Sequence, residues 1–243
     1  MRALEVDAHT HTIVSGHAYG TILEMTKAAA EQHLQILGIT EHTSGIPGTC
    51  ADIYFMNLKV VPRQLCGVEL MLGAEVNIID YEGNVDFDRK DFRHLDLRIA
   101  SMHTQCFQPG TREQNTAAVV GAIRAGGIDI IGHPIDGTYP LDYEPIVKAA
   151  AEHHVLLEVN NHALRSKSRI NAFENACTMV KLCRKYDIPV TCNSDAHFMT
   201  DVANTSHIAP VFEATDFPEE LILNLSAERF KKWIHQNRVL EQG

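Results

Sequence analysis

The 243-residue sequence lacks several features that mark whole classes of protein. No apolar stretch approaches the roughly 18 residues of a membrane-spanning helix, so membrane insertion is not expected. No run of Lys or Arg stands out and the net charge is −10, which argues against binding of extended nucleic acid through a basic face. The first seven residues are too short and too acidic for a signal peptide, so we expect none.

Paired cysteine motifs are also absent. No C-x-x-C pair occurs among the six cysteines, which are Cys50, Cys66, Cys106, Cys177, Cys183 and Cys192. In a chain of this length without an export signal, such cysteines are typical of reduced, packed thiols. Cys106 lies three residues after His103 and is therefore conceivable as a metal ligand, but a packed thiol is the expectation for it as well.

The remaining composition is that of an ordinary globular protein, with 45% hydrophobic and 21% charged residues. The length suits one α/β barrel or two small domains. Histidine is the unusual component, because 14 are present. Their positions, rather than their number, carry the functional argument.

Apolar runs of strand length alternate with segments of helical periodicity, which indicates βα units. The seven predicted strands cover residues 4–8, 36–40, 70–74, 95–100, 128–132, 155–159 and 188–192. The predicted helices cover residues 21–33, 53–66 (weakly), 115–125, 144–153, 172–186 and 227–236, the last with Ser226 as N-cap. We predict one domain over 1–243 with a helical tail from about 201. It forms a seven-stranded (β/α) barrel, and an open doubly wound sheet is the competing architecture.

The first strand ends in a short motif with metal-ligating side chains. Residues i and i+2 of a strand point to the same face, so His9 and His11 would project together, with Asp7 next in line. Two imidazoles beside a carboxylate suit a borderline-soft metal ion. The alternative is a surface strand that happens to carry two histidines. We expect Asp7 to orient His9 or His11 through the ring N–H rather than to bind metal.

Potential ligands recur at the ends of six of the seven predicted strands. They are His9 with His11, His42, Glu75, His103, His133, and Asp195 with His197. In a barrel the carboxyl ends of all strands meet at one mouth, where active sites lie, so these side chains would converge. Independent core or surface histidines would need the same coincidence six times. His17, in the loop after the first strand, could reach over the same mouth.

These ligands point to hydrolytic metal chemistry. Seven histidines and two carboxylates exceed the four ligands of one zinc ion, but they suffice for two or three ions if a carboxylate bridges. Glu75 is the natural bridge, because a carboxylate has two oxygens. Such ions generate hydroxide at neutral pH and neutralise a phosphoryl group under attack. Mn2+ or Fe2+ could occupy the same ligands, since selectivity depends on geometry and availability.

Taken together, the motifs resemble those of the PHP family (polymerase and histidinol phosphatase domain), most closely the YcdX-type zinc phosphatases. The opening D-x-H-x-H motif falls at residues 7–11, and the usual T-D-H motif appears at 40–42 with Glu41 in place of Asp. Further matches lie at residues 16–19, 73–77, 103, 133–134, 157–161, 194–197 and 216–218. The resemblance covers essentially the whole chain.

The resemblance implies a distorted, TIM-like (β/α)7 barrel with three Zn2+ ions per subunit and phosphoesterase activity. By position, one ion would be held by His9, His11, Glu75 and Asp195. A second would share Glu75 and add His103 and His133, and the third would take His17, His42 and His197. Similar proteins are cytoplasmic and form trimers, so the resemblance also implies a cytoplasmic homotrimer.

We expect a phosphatase that acts on a small phosphomonoester, with metal-bound hydroxide as nucleophile at a trinuclear site. The expected catalytic residues are Glu75, Asp195 and His197. Arg165 and Lys167, just past a strand end, are candidate phosphate contacts, although their stretch also resembles a solvated loop. His162 is either an extra pocket group or a side chain at a helix entry. Metal-bound water and an aspartate are both open as the proton donor to the leaving group.

Two other functions are compatible with the same ligands. One is a nuclease that acts on short oligonucleotides, for which only the channel would differ; the acidic balance argues against long substrates. The other is a non-catalytic zinc-binding protein, such as a store or a partner-binding module. All nine ligand positions are filled, which favours a working catalytic site over storage.

Overall fold

The computed structural model describes residues 2–240, with only the backbone course for 238–240. Within that range the strands form one sheet: β1 Val6–Asp7, β2 Ile36–His42, β3 Gln64–Leu65, β4 Val68–Asn77, β5 Leu97–Ser101, β6 Ile130–Ile131, β7 Leu156–Asn160 and β8 Val190–Asn193. Seven of these strands run parallel in the order β1-β2-β4-β5-β6-β7-β8. The short β3 pairs antiparallel with β4 and stands outside this series.

The two ends of the parallel series meet just beyond β1 and β8. Thr10 and Ala196 form a parallel bridge, and the His9 carbonyl accepts a hydrogen bond from the Asp195 N–H at 3.0 Å. The Ala196 carbonyl likewise accepts from the His11 N–H at 2.9 Å. The sheet is therefore a nearly closed barrel. The predicted seven-stranded α/β barrel is confirmed, and an open doubly wound sheet is excluded.

Helices surround this barrel. They are α1 Ile22–Glu31, α2 Ile53–Met56, α3 Arg112–Arg124, α4 Tyr143–Glu152, α5 Asn161–Arg165, α6 Ala172–Lys185, α7 Ala209–Thr215 and α8 Ala227–Leu240. Short 3-10 turns occur at Ile13–Ser15, Leu58–Val60, Arg89–His94, Met199–Asp201, Glu219–Leu221 and Leu223–Leu225. Thr21 and Thr111 begin α1 and α3 through reciprocal capping boxes. Ser226, the predicted N-cap of α8, accepts a hydrogen bond from the Arg229 N–H at 3.3 Å.

The weak helix predicted over 53–66 is wrong. Only the one-turn helix α2 and a 3-10 turn form there, and β3 follows. Pro62 has no N–H to donate and disfavours helical geometry in the residue before it. Cys66 and Gly67, at φ 52° and 81°, make the two-residue turn of the β3–β4 hairpin, because such turns need left-handed residues.

The core is divided between the outside and the inside of the barrel. The larger cluster lies between strands and helices, and a second cluster occupies the amino-terminal end of the barrel. The second cluster comprises Val6, Ala8, Ile36, Leu97, Ile99, Ile130, Leu156, Leu223, Ala227, Phe230 and Ile234. Helix α8 thus closes the end of the barrel where the strands begin. The carboxyl ends are left for polar side chains. No helix within residues 2–240 has both the length and the apolar character needed to cross a lipid bilayer.

Truncation of the α8 plug should destabilise the whole barrel. Phe230 is fully buried, so Phe230→Ala leaves a cavity and should cost about 3–5 kcal/mol of unfolding free energy. The neighbouring Lys231→Ala is the control, because Lys231 makes only a half-exposed ion pair with Glu69, worth about 0–1 kcal/mol. Urea unfolding followed by circular dichroism measures both. Equal losses in the two variants would contradict the role of α8.

Candidate metal centre

All nine predicted ligand residues come together at the carboxyl end of the barrel. Seven of them line a cavity of about 530 Å³: His17, His42, Glu75, His103, His133, Asp195 and His197. His9 and His11 lie behind this wall and are fully buried. The convergence follows from the parallel sheet, because each of these residues lies at or just after the end of a strand or in the first loop.

Two imidazoles that follow β1 lie against two carboxylates, one on β4 and one just after β8. The Nε2 atoms of His9 and His11 are 3.1 Å apart. Glu75 Oε2 lies 3.3 Å from the former and 3.4 Å from the latter. Asp195 Oδ1 lies 3.7 Å from His9 Nε2 and 3.2 Å from His11 Nε2. These four side chains are therefore close enough to share one cation.

Glu75 faces histidines with both carboxylate oxygens. While Oε2 faces His9 and His11, Oε1 lies 2.9 Å from His133 Nε2 and 3.4 Å from His103 Nε2. His42 Nδ1 approaches Oε2 at 2.9 Å. A carboxylate so placed can bridge two cations, which is the role that the sequence predicted for it.

A third group lies nearer to solvent. The Nε2 atoms of His17 and His197 are 3.1 Å apart, and the His42 ring stacks 5.0 Å from that of His17. His11, His42 and His197 also offer atoms within 4.8 Å of one another. His17 is exposed, whereas His42 is buried, so this group forms the outer part of the centre.

The centre contains buried polar atoms that lack a hydrogen bond among the described residues. They are Glu75 Oε2, Asp195 Oδ1 and His42 Nδ1. Glu75 Oε2 and His42 Nδ1 lie 2.9 Å apart, but their angles do not form a hydrogen bond. An unsatisfied polar atom in a buried site costs roughly 1–3 kcal/mol, and more if charged. Divalent cations bound by these atoms would remove that cost. Imidazole nitrogen and carboxylate oxygen are also the donors that zinc accepts, so the residues fit the metal.

Hydrogen bonds on the far side of the rings fix which nitrogen is free. His17 Nδ1 faces the Ser15 carbonyl and His197 Nδ1 the Asp195 carbonyl, both at 3.0 Å. A carbonyl only accepts, so both Nδ1 atoms carry hydrogen and both Nε2 atoms present lone pairs. His103 is fixed in the same way by Asn77 Oδ1 at 2.7 Å. Facing lone pairs repel each other, and a bound cation would offset that repulsion.

His133 differs from the other rings. Its Nδ1 lies 3.3 Å from the Arg169 guanidinium, which can only donate. In this contact His133 Nε2 therefore carries the hydrogen and donates to Glu75 Oε1. Binding of a metal through Nε2 would require His133 to exchange this tautomer and Arg169 to donate elsewhere, for example to Asp136, which it already contacts at 2.8 Å.

Protonation states differ among the ligand residues. Burial lowers the pKa of His9, but the charges of Glu158 and two further carboxylates outweigh burial and hold that pKa well above its usual value, so a bound cation would have to displace a proton from His9. Burial lowers the pKa of His11 and that of His103, which keeps these rings neutral near pH 7. Burial alone would raise the pKa of Glu75, but the charge of His9 and contacts with the surrounding rings hold it well below its usual value. Neutral imidazole and ionised carboxylate are the forms that bind metal.

Comparison with known proteins agrees with this geometry. The PHP domain model matches residues 7–170. The probable phosphatase of Caldicellulosiruptor saccharolyticus is 44% identical over 233 residues, which cover 95% of this chain and 96% of that protein. The probable phosphatase of Clostridium novyi is 41% identical and covers 94% and 93%. This chain belongs to the PHP family. The resemblance inferred from its motifs is therefore confirmed.

The PHP fold is shared with more distant solved structures. The histidinol phosphate phosphatase of Lactococcus lactis subsp. lactis, complexed with zinc, L-histidinol and phosphate, superposes with a TM-score of 0.62 at 15% identity. The match covers 89% of this chain and 93% of that one. At such low identity the likeness shows the fold alone, and that fold is the barrel described above.

The role predicted for Asp7 is corrected by the structure. Within the described residues Asp7 makes no hydrogen bond to His9 or His11; its carboxylate accepts from the Ser194 N–H and hydroxyl and from the Ala203 N–H. Asp7 thus fastens the segment that leads to Asp195. His9 contacts Glu158 and Glu75 instead, so the two side chains have different partners. The spacing i, i+2 had suggested the same side, but the regular strand ends at Asp7 itself.

Glu158 on β7 orients His9 instead. Its Oε1 lies 2.8 Å from His9 Nδ1, and its Oε2 accepts from the backbone N–H of His133 at 2.7 Å. Asn160 and Asn193 donate to the same carboxylate. The sequence analysis did not assign this residue, although a single acidic residue inside the apolar run 155–159 was a signal for it.

Two backbone positions in the centre are left-handed. His133 has φ 30° and Asp195 has φ 55°. Non-glycine residues in this region are strained by roughly 1–3 kcal/mol and are kept there only by surrounding contacts. For His133 the contact is the hydrogen bond to Glu158, and for Asp195 it is the bond to the His9 carbonyl. Both residues are turned toward the cavity as a result.

The predicted phosphate contacts are only partly placed at the cavity. Arg165 pairs with Asp201 at 2.9 Å, Lys167 is exposed, and neither lines the cavity formed by the described residues. Arg169, from the same stretch, does line it. His162 also lines it, with its ring 5.4 Å from that of His197. The stretch thus borders the cavity through Arg169, while Arg165 and Lys167 lie outside the lining formed by the described residues.

Removal of the Glu158 charge should weaken metal binding without loss of any predicted ligand. Both oxygens of Glu158 face hydrogen-bond donors. In Glu158→Gln an NH2 group replaces one of these oxygens, so either His9 or the His133 backbone N–H loses its acceptor. We expect a roughly 10–100-fold lower zinc affinity in chelator competition. Glu69→Gln, at a partly exposed carboxylate paired with Lys231, is the control and should bind zinc as the wild type does. Identical affinities in both variants would refute the orienting role of Glu158.

Proposed function

We propose that this PHP protein is a metal-dependent phosphatase that acts on small phosphomonoesters at a trinuclear centre. The observation that carries the proposal is Glu75, a buried carboxylate whose two oxygens lie 2.9–3.4 Å from the ring nitrogens of five histidines. The high identity to proteins named probable phosphatases supports the reaction class.

The residues that would hold the ions follow the grouping in the structure. His9, His11, Glu75 and Asp195 would hold one, Glu75, His103 and His133 a second, and His17, His42 and His197 a third. Zinc is the proposed metal, with manganese or iron as possible substitutes. When bound, such ions activate water and offset the charge that develops on a phosphoryl group.

The chain itself supplies binding and orientation. Arg169 is the proposed phosphate contact, because its guanidinium lies at the cavity wall between Asp136 and His133 and presents several donors. Asp136 holds Arg169 at 2.8 Å and accepts from the Thr138 N–H at 2.9 Å, so the guanidinium is positioned before substrate arrives. The buried faces of His9, His11 and Glu75 exclude water from the rear of the centre.

The size of the cavity supports a small substrate. The cavity volume of about 530 Å³ lies in the lower half of the range of about 300–1,000 Å³ for small-molecule sites. A nuclease that acts on short oligonucleotides would need a longer basic channel, whereas Arg169 is the only Arg or Lys that lines the cavity among the described residues. The homotrimer and the cytoplasmic location implied by the resemblance stay predictions, which light scattering and cell fractionation can test.

Metal removal provides the direct test. Exhaustive chelation should abolish hydrolysis of p-nitrophenyl phosphate, and added zinc or manganese should restore it, because the proposed chemistry depends on the ions. Elemental analysis of the purified protein should give three ions per chain. Retained activity after complete metal loss would refute the mechanism. Faster hydrolysis of bis-p-nitrophenyl phosphate would favour the nuclease, and metal-loaded protein without either activity would favour a binding role.

The phosphate contact can be tested with two arginines from one stretch. Arg169→Ala should lower kcat/KM for phosphomonoesters roughly 10–100-fold, the value of a charge-assisted hydrogen bond of about 1.5–3 kcal/mol. Arg165→Ala is the matched control and should stay within about twofold, because Arg165 pairs with Asp201 away from the cavity. Steady-state kinetics distinguishes the two, and a larger loss for Arg165→Ala would show that the assignment is wrong.

A further inference from the structure

Ser15 is a fully buried hydroxyl that contacts three of the proposed ligand residues. It ends the 3-10 turn that follows β1. Its Oγ lies 3.1 Å from His11 Nδ1 and accepts from the His42 backbone N–H at 3.1 Å. Its carbonyl accepts from His17 Nδ1 at 3.0 Å. One small residue thus connects ligands of the inner and outer groups.

Glu41 determines the direction of the hydrogen bonds around Ser15. The Ser15 hydroxyl lies 2.5 Å from Glu41 Oε2, and a carboxylate can only accept. A hydroxyl has one hydrogen, which is therefore donated to Glu41. The backbone N–H of His42 is a fixed donor to Ser15 Oγ. The remaining lone pair of Ser15 can only accept, so the hydrogen of His11 lies on Nδ1.

We propose that Glu41 and Ser15 act as a positioning pair that holds His11 in the tautomer with a free Nε2. That Nε2 faces Glu75 Oε2 at 3.4 Å and Asp195 Oδ1 at 3.2 Å. The inference rests on the proposed metal centre. It extends that centre to two residues that do not line the cavity. His9 needs no intermediary, since Glu158 contacts its Nδ1 directly.

The essential feature of this pair is that both oxygens of Glu41 accept hydrogen bonds, which an amide cannot reproduce. Glu41 is fully buried, and its carboxylate also accepts hydrogen bonds from the N–H and the hydroxyl of Thr12. If the acceptor becomes an amide, Ser15 is free to turn its hydrogen toward His11 Nδ1. His11 would then carry its hydrogen on Nε2 and could not bind metal through that atom.

The wild-type tautomer is the first measurement. Long-range proton–nitrogen correlation spectra of the full chain, as purified and after chelation, report which ring nitrogen carries hydrogen. The His11 signals are assigned as those lost in His11→Gln. We expect hydrogen on Nδ1 in both samples. A His11 ring with hydrogen on Nε2 after chelation overturns the proposal, whether or not the protein proves to be a phosphatase.

Variants provide the second measurement. After chelation, Ser15→Ala and Glu41→Gln should show His11 with hydrogen on Nε2 or a mixture, and zinc affinity should fall roughly 10–100-fold in chelator competition. Thr12→Val is the matched control, because Thr12 contacts the same carboxylate but no ligand ring; its affinity should stay within about threefold. The double variant should bind zinc no more weakly than the weaker single one.

Each opposite result contradicts the pair. Unchanged affinity in Glu41→Gln would show that two acceptor oxygens at this position are not needed, and an equal loss in Thr12→Val would show that Glu41 is only a general structural residue. Additive losses in the double variant would show that the two residues act separately. Circular dichroism checks the fold of each variant, and if a variant does not fold, the wild-type tautomer still decides the question.

Discussion

Burial of carboxylates among imidazoles is the constraint on which the rest of this structure depends. Glu75 and Asp195 are almost completely inaccessible, and each keeps one oxygen without a hydrogen bond among the described residues. Such an arrangement is unfavourable for an apolar core and favourable for bound cations. The barrel tolerates it because the polar atoms are confined to the carboxyl end, while α8 and the strand beginnings form an apolar plug at the other end.

A second layer of polar residues behind the histidines fixes the orientation of their rings. Glu158, Asn77 and Ser15 each contact the rear nitrogen of one histidine, and each is fixed in turn by further hydrogen bonds. Asn77, for example, donates its amide hydrogens to Thr43 and Asp86, which leaves its oxygen for His103. In the neutral form of each ring, the front nitrogen is then left as a lone pair. The rings are therefore oriented by the protein before a metal binds.

Sequence periodicity was sufficient for the architecture and less so for local detail. The seven parallel strands lie within a few residues of their predicted positions, because buried apolar runs followed by helical segments leave few alternatives. The helix expected over 53–66 failed where Pro62 and the left-handed Cys66–Gly67 turn outweighed a weak apolar pattern. The directions of the Arg165 and Lys167 side chains could not be predicted either, since the direction of a loop side chain has no periodicity from which to infer it.

The sequence by itself determined the barrel, the family and the set of residues at the strand ends, because parallel strands must bring their carboxyl ends to one side. Only the tertiary structure decided which groups support that set. Glu158 on β7 is 149 residues away from His9 in the sequence. Glu41 on β2 is 26 residues away from Ser15. Hydrogen-bond direction depends on the three-dimensional meeting of donor and acceptor. No spacing along the chain encodes such a meeting.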